Sequence, residues 1–450
     1  MAVRDNHPDV EQKGRFMMKR KWNMKTTINP LIGLIPVLLI LVALLSPGAA
    51  QTDPVPDPVL EWNAILLDTI GGQNPFAQAR FAAITHVAVF EAVNAITSDY
   101  EPYLGTITAP PGASAEAAAV AAAHGVLKNY FPGSAATLDA AHANSLAAIL
   151  DGQAKDDGIT VGEAAAAAMI ANRANDGSGP PQFHMPSSAD PGEWQTTPGC
   201  PPAGGVLLHW SEVTPFGIQS SDQFRSPPPP PLRSGKYARD YNEVKRVGEI
   251  NSTERPQDRA DVARYFAIAP PPHLFGQAAS QVSVAQGKSL PENARAFALL
   301  TMAINDALVS SMETKYNYSY WRPITAIRAG DTDSNSRTDP DPDWTPFITT
   351  PCFPSYQSAH ASGSYAGRRV AEKVFGMRGH DITLSHPSVS DVVLQYTRFS
   401  QITDDVDDAR VYGGIHYRFD QEAGARQGRQ AASYILSNHL RPVDESEDDD

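Results

Sequence analysis

PENARAFALLTMAINDALVSSMETK at 291–315, running on as YNYSYWRP at 316–323, is the stretch that sets the fold. A proline opens it, alanine and leucine recur through it, and neither glycine nor proline interrupts it before Pro323. Proline fits the first turn of a helix, and alanine and leucine are strong helix formers. The pattern therefore predicts a helix from Pro291 to near Lys315, with that ammonium at its C-terminal end. Moving outward, the same period returns at 60–70 and at 77–96, where Phe81, Ile84, Val87, Ala88, Glu91 and Val93 share the pattern. Alanine-rich runs at 114–127, 135–150 and 161–174 suit closely packed helices. Further helices are predicted at 235–247, 257–268, 361–375 and 414–440, and almost nothing alternates like a strand. The expected fold class is all-α, built from helix bundles in two packed halves.

The halves are expected at 58–176 and 235–440, within one domain at 58–440. Between them, 177–234 shifts to Pro, Gly and Ser without periodicity. Such composition usually marks an exposed linker. The embedded Trp194, Trp210, Phe216 and Phe224 point instead to a strap packed across the helices. Five prolines from Pro227 to Pro231 should form a stiff polyproline segment.

A chain of 450 residues with 42% hydrophobic and 19% charged residues can bury a large core. Its net charge is −14. Residues 1–50 hold seven Lys/Arg against three Asp/Glu, so their removal would leave −18. Phosphate-backbone binding needs a basic surface, which argues against nucleic acid as a partner. Basic residues at Lys19, Arg20, Lys21 and Lys25 precede an apolar run at 31–45, then SPGAAQ. This reads as a signal peptide over 1–50 cleaved before Gln51, with a short leader at 51–57. A secreted or periplasmic protein follows, with no membrane attachment after processing and no later segment apolar enough to span a bilayer. The acidic tail at 441–450 reads as solvated. Two cysteines, Cys200 and Cys352, make no disulfide framework and no zinc set; they could pair or remain separate thiols. Asp331, Asp333 and Asn335 begin like a calcium loop, but Ser336 and Pro342 occupy its glycine and glutamate positions, so a solvated turn is expected.

Three elements in the C-terminal third carry chemistry. They are Lys315-x6-Arg322-Pro323, then Ser358-Ala359-His360, then Arg410-x5-His416-x3-Asp420. Three cations, a hydroxyl, two imidazoles and a carboxylate are the parts needed to hold a tetrahedral oxyanion and move protons on it. Pro354 should make the stretch 353–357 extended or turned and let a helix begin just after it, placing Ser358 and the Ala359 amide at an anion-favouring N-terminus. Gly413 and Gly414 suggest another helix start near His416, with Asp420 four residues on along the same face.

In order and spacing, these elements resemble the superfamily of vanadium-dependent haloperoxidases and type-2 phosphatidic-acid phosphatases, and most closely its secreted haloperoxidase-like branch. KYNYSYWRP at 315–323 matches the first motif in full. In PCFPSYQSAHA at 351–361, Gln357 and Ala359 replace the proline and glycine of the pattern, and in ARVYGGIHYRFD at 409–420, Ala409 replaces a serine. The resemblance implies a vanadate cofactor bound at His416, with Lys315, Arg322, Arg410, Ser358 and the Ala359 amide on its oxygens. It implies His360 as the proton acceptor, Lys315 as the group that polarises hydrogen peroxide, Asp420 as the partner of His416, and a halide pocket near Phe353 and Trp321. Met312 stands where the chloride-oxidising fungal branch is aromatic, which favours bromide or iodide over chloride. Hypohalous acid would be released or passed to an organic acceptor, and a homodimer is plausible. The alternative is a secreted acid phosphatase in which His416 forms a phosphohistidine at the same site. One pocket can serve both chemistries, because five-coordinate vanadate resembles the phosphoryl-transfer transition state.

Overall fold

The computed structural model describes residues 57–443. The predicted signal peptide, the leader to residue 56 and the tail from residue 444 lie outside the described residues. The described region is all-α, as expected: thirteen α-helices and one two-stranded hairpin.

The N-terminal half holds α1 (Pro58–Ile70), α2 (Pro75–Thr97), α3 (Ala115–Tyr130), α4 (Ala135–Ala147) and α5 (Gln153–Asn172). Asn74 caps α2 by accepting from the amides of Phe76 and Ala77, both at 3.1 Å. Contrary to the sequence expectation, α2 is long and apolar enough to cross a membrane. However, 83% of its most apolar window is buried inside the protein, which makes it a core helix. The alanine faces of α3 and α5 pack so closely that a Cβ on Gly162 would overlap the Ala118 carbonyl.

The second half holds α6 (Gly235–Val247), α7 (Gln257–Phe266), α8 (Pro271–Gln286), α9 (Leu290–Tyr318), α10 (Pro323–Arg328), α11 (Ala359–Phe375), α12 (Phe399–Tyr412) and α13 (Arg418–Asn438). Strands β1 (Ile382–Ser385) and β2 (Val393–Tyr396) pair antiparallel, Ile382 opposite Tyr396 and Ser385 opposite Val393. At 29 residues, α9 is about 43 Å long. It starts in a capping box in which Glu292 accepts from the Ser289 amide at 2.9 Å. It is buried along most of its length and packs against α2, α11 and α13, joining the two halves through one continuous apolar core. On the α11–α13 contact, a Cβ at Gly424 would meet the Ser358 carbonyl at 2.5 Å, and one at Gly428 would overlap the Ser362 carbonyl. Only glycine lets α13 lie that close to the start of α11.

The segment 177–234 is a packed strap. Trp194, Trp210 and Phe216 are buried. The carboxylate of Asp306 on α9 accepts from the amides of Phe216, Gly217 and Ile218 at 2.7, 2.6 and 3.0 Å. Cys200 and Cys352 form a disulfide that ties the strap to the segment leading to Ser358. The turn at Asp333 is not solvated: Asp333 and Asn335 are buried, and Asp333 accepts from the Asn335 amide and the Thr338 hydroxyl at 2.8 Å. Helices α8, α10 and α12 and the hairpin are additions to the sequence reading. Pro270, Pro271 and Pro272 read as a break but open α8, and the acidic face of α12 interrupts its apolar period.

Candidate oxyanion site

Five segments meet at one buried point. Lys315 is in the last turn of α9 and completely buried. Its Nζ donates to the carbonyls of Pro354 and Ser355 at 3.0 and 2.7 Å. Arg322, just before α10, donates from Nε to the Phe353 carbonyl at 2.8 Å and from Nη1 to the Ile415 carbonyl at 2.9 Å. Arg410, in the last turn of α12, donates from Nη1 to the Phe266 carbonyl at 2.9 Å. Ser358 caps α11, its hydroxyl accepting from the Ala361 amide at 3.3 Å, so the Ala359 amide lies at a helix N-terminus. Ala359 is the first residue of the helix, a conformation that needs no glycine.

His416 is not on a helix with Asp420. Tyr417 precedes α13 as its cap, so His416 sits before the helix and Asp420 in its first turn. The two still meet: His416 Nδ1 is 2.7 Å from Asp420 Oδ2. Its other nitrogen, Nε2, is 3.2 Å from Arg322 Nη1. A guanidinium can only donate, so Nε2 accepts and Nδ1 carries the hydrogen given to Asp420. The chain thus presents an imidazole with a bare Nε2 beside two arginines and a lysine.

Burial and mutual repulsion dominate the electrostatics. Desolvation holds Lys315 well below the usual lysine range, helped by Arg322 and Arg410. Burial lowers Arg322 to about 10, and burial with Arg322 nearby lowers Arg410 to about 9. Burial, followed by the neighbouring cations, keeps His360 and His416 neutral well below the ordinary imidazole value. Burial pushes Asp420 up, while the Ser355 hydroxyl, Lys315 and Arg322 pull it back. Three basic side chains thus face a single carboxylate. Arg322 Nη2 and Arg410 Nε are also buried without a hydrogen-bond partner. Buried charge with idle donors is costly unless an anion completes it. A tetrahedral oxyanion such as vanadate or phosphate fits this donor set in charge and chemistry.

The site opens into a cavity of about 700 Å³. His360, His416, Arg410 and Ala359 line it, with Phe76, Leu207, Leu308, Ile348 and Phe353 among the apolar walls. Phe353 stands edge-on to Phe76 with ring centroids 6.2 Å apart, and the Lys315 and Arg322 cations lie 5.2 and 5.0 Å from its ring centroid. Trp321 does not line this cavity. It is buried beside Arg322 in a separate aromatic cluster, stacked on Tyr237 at 6.4 Å, because adjacent residues in extended backbone point to opposite sides. Met312 is likewise buried in the core and outside the cavity lining. Gln357, in place of a proline, donates to Gln427, which also accepts from Ser362 at 2.8 Å. Nothing in the structure gives the loss of a hydroxyl at Ala409 a role.

The sequence reading missed Ser355, whose hydroxyl donates to Asp420 Oδ2 at 2.7 Å. It also missed the main-chain acceptors of the three cations. The one signal for Ser355 was a second hydroxyl inside the same motif, three residues before Ser358.

Residues 295–445 match the family model described as the VCPO second helical-bundle domain. Vanadium chloroperoxidase of Curvularia inaequalis is 24% identical over 201 residues, covering 38% of this chain. That match spans only 32% of the relative's length. Among solved structures, a bacterial vanadium-dependent iodoperoxidase superposes with a TM-score of 0.71 at 24% identity, covering 86% of this chain and 97% of that one. The apo form of a bacterial vanadium-dependent chloroperoxidase gives 0.68 at 16% identity, covering 82% and 95%. These likenesses show a shared fold.

Proposed function

We propose that this chain, whose residues 295–445 match the family model of the VCPO second helical-bundle domain, is a vanadate-dependent haloperoxidase. It would oxidise bromide or iodide with hydrogen peroxide and pass the product to water or an organic acceptor. The observation that carries the oxyanion reading is the pair of buried, unpartnered donors on Arg322 and Arg410 beside Lys315, balanced by Asp420 alone. The names of the relatives favour vanadate as the resident group. The predicted signal peptide would place the enzyme outside the cytoplasm.

In this reading Lys315, Arg322 and Arg410 neutralise the oxyanion's oxygens, and the N-terminus of α11 adds the Ser358 hydroxyl and the Ala359 amide. His416 offers Nε2 as the ligand, with its Nδ1 hydrogen fixed on Asp420. Vanadate, when bound, supplies Lewis-acid activation of hydrogen peroxide without a change in oxidation state. His360, held neutral at the cavity wall, takes up the proton that peroxide releases. The apolar walls limit water around the reacting halide.

The same bare Nε2, backed by a carboxylate, would also serve as a nucleophile toward a phosphate ester, which keeps an acid phosphatase as the second reading. Phosphate-free protein should brominate a phenolic dye only when bromide, hydrogen peroxide and orthovanadate are all present, and His416→Ala should abolish this. Hydrolysis of a phosphate ester inhibited by vanadate, without bromination, would replace the peroxidase with the phosphatase.

A further inference from the structure

We infer that Ser355 is a positioning residue, its hydroxyl holding the Asp420 carboxylate and through it the His416 ring in register with Lys315. This rests on the oxyanion reading above and adds a residue to which the three motifs assign no role.

Ser355 is completely buried, and each of its polar groups engages a different part of the site. Its amide donates to the Tyr320 carbonyl at 2.8 Å, on the segment that carries Arg322. Its carbonyl accepts from Lys315 Nζ at 2.7 Å. Its hydroxyl donates to Asp420 Oδ2 at 2.7 Å, the oxygen that also receives His416 Nδ1–H at 2.7 Å. The hydroxyl oxygen lies 3.4 Å from that same ring nitrogen.

The anchoring of Asp420 is one-sided. Oδ2 takes the serine, the histidine and, at 3.3 Å, the Tyr417 amide. Oδ1 is buried without a partner. A carboxylate held by one oxygen can swing about its last torsion, and the hydroxyl and the imidazole bracket that oxygen from two directions. Without the serine, the imidazole would be oriented by a carboxylate with one fewer restraint. Outer partners of this kind typically change the affinity of a site by about 10- to 100-fold.

The experiment titrates orthovanadate, and separately orthophosphate, into the phosphate-free full chain by calorimetry. The proteins are wild type, Ser355→Ala, Ser355→Thr, Asp420→Asn and the Ser355→Ala/Asp420→Asn double variant. Ser355→Ala should bind both anions roughly tenfold more weakly, and Ser355→Thr, which keeps the hydroxyl, should recover most of that loss. The double variant should bind no more weakly than Asp420→Asn alone, because the hydroxyl acts through the carboxylate. The thermal midpoint of Ser355→Ala should stay near wild type, since the amide and carbonyl contacts remain. Unchanged affinity in Ser355→Ala, or losses that add in the double variant, would overturn the inference. If the wild type bound neither anion, the oxyanion reading would fall and this inference with it.

Discussion

Replacing Arg410 with methionine tests the claim that the buried cations await an anion. Arg410 enters from the end of α12, donates to the Phe266 carbonyl at 2.9 Å, and leaves Nε buried without a partner. Methionine keeps much of the length and apolar bulk and removes the charge. One charge-assisted hydrogen bond contributes about 1.5–3 kcal/mol. Orthophosphate or orthovanadate should therefore bind roughly 10- to 150-fold more weakly. In the absence of anion the variant should be nearly as stable as wild type, because losing the Phe266 contact is offset by removing a desolvated charge next to Arg322. Thermal unfolding with and without anion reads both effects. At 100 times its dissociation constant, the anion should stabilise wild type by about 2.7 kcal/mol, a rise of ~3 °C for a folded region of this size. At the same concentration, a variant weakened 100-fold should gain only about 0.4 kcal/mol. Equal shifts in the two proteins would refute the reasoning. So would a fall of many degrees in anion-free Arg410→Met, which would make the arginine a structural strut.

Three further outcomes follow from the packing. Asp306→Leu leaves the Phe216, Gly217 and Ile218 amides without their acceptor, at a cost of about 1–3 kcal/mol each; the urea midpoint should drop and the strap should become open to limited proteolysis. Burial pushes Asp407 up to about 7, so the folded state keeps a proton that the unfolded chain, at 3.8, releases. The sign is then fixed: this group lowers stability as pH rises from about 4 to 7, and Asp407→Asn should be more stable than wild type at pH 8 but not at pH 4 in denaturant melts. Gly428→Ala forces a Cβ into the Ser362 carbonyl and should destabilise by about 1–3 kcal/mol or more, whereas Gly133→Ala, with open space around it, should leave the thermal midpoint unchanged.

Much of the helical framework was legible because helix signals are local. The proline–alanine–leucine run ending at Lys315 reads as one long helix, observed as Leu290–Tyr318. Where local and tertiary signals conflict, the reading failed. Pro271 and Pro272 look like breakers but sit in a first turn, where a missing amide costs nothing. The α12 period is carried by Phe399, Ile402, Val406 and Ala409 but diluted by four aspartates: Asp404 is exposed, Asp405 and Asp408 pair with Arg259, and Asp407 accepts from the Tyr365 hydroxyl. The Asp333 turn looked solvated because nothing local announces that Asn335 reaches the Leu232 carbonyl across 103 residues.

The sequence by itself determined the helical class, the strap's aromatic anchors, and the seven groups that converge at the site, because each depends on residue type and short spacing. Only the tertiary structure decided that Cys200 meets Cys352, that Ser355 holds Asp420, and that Trp321 turns away while Phe353 faces the cavity. Those outcomes are set by which helices meet and at what distance. That in turn depends on burying apolar surface over the whole chain and on the close approach permitted by Gly424 and Gly428. A motif can specify which charges are available; the packed core decides which of them are left without partners, and it is those idle donors that make the site.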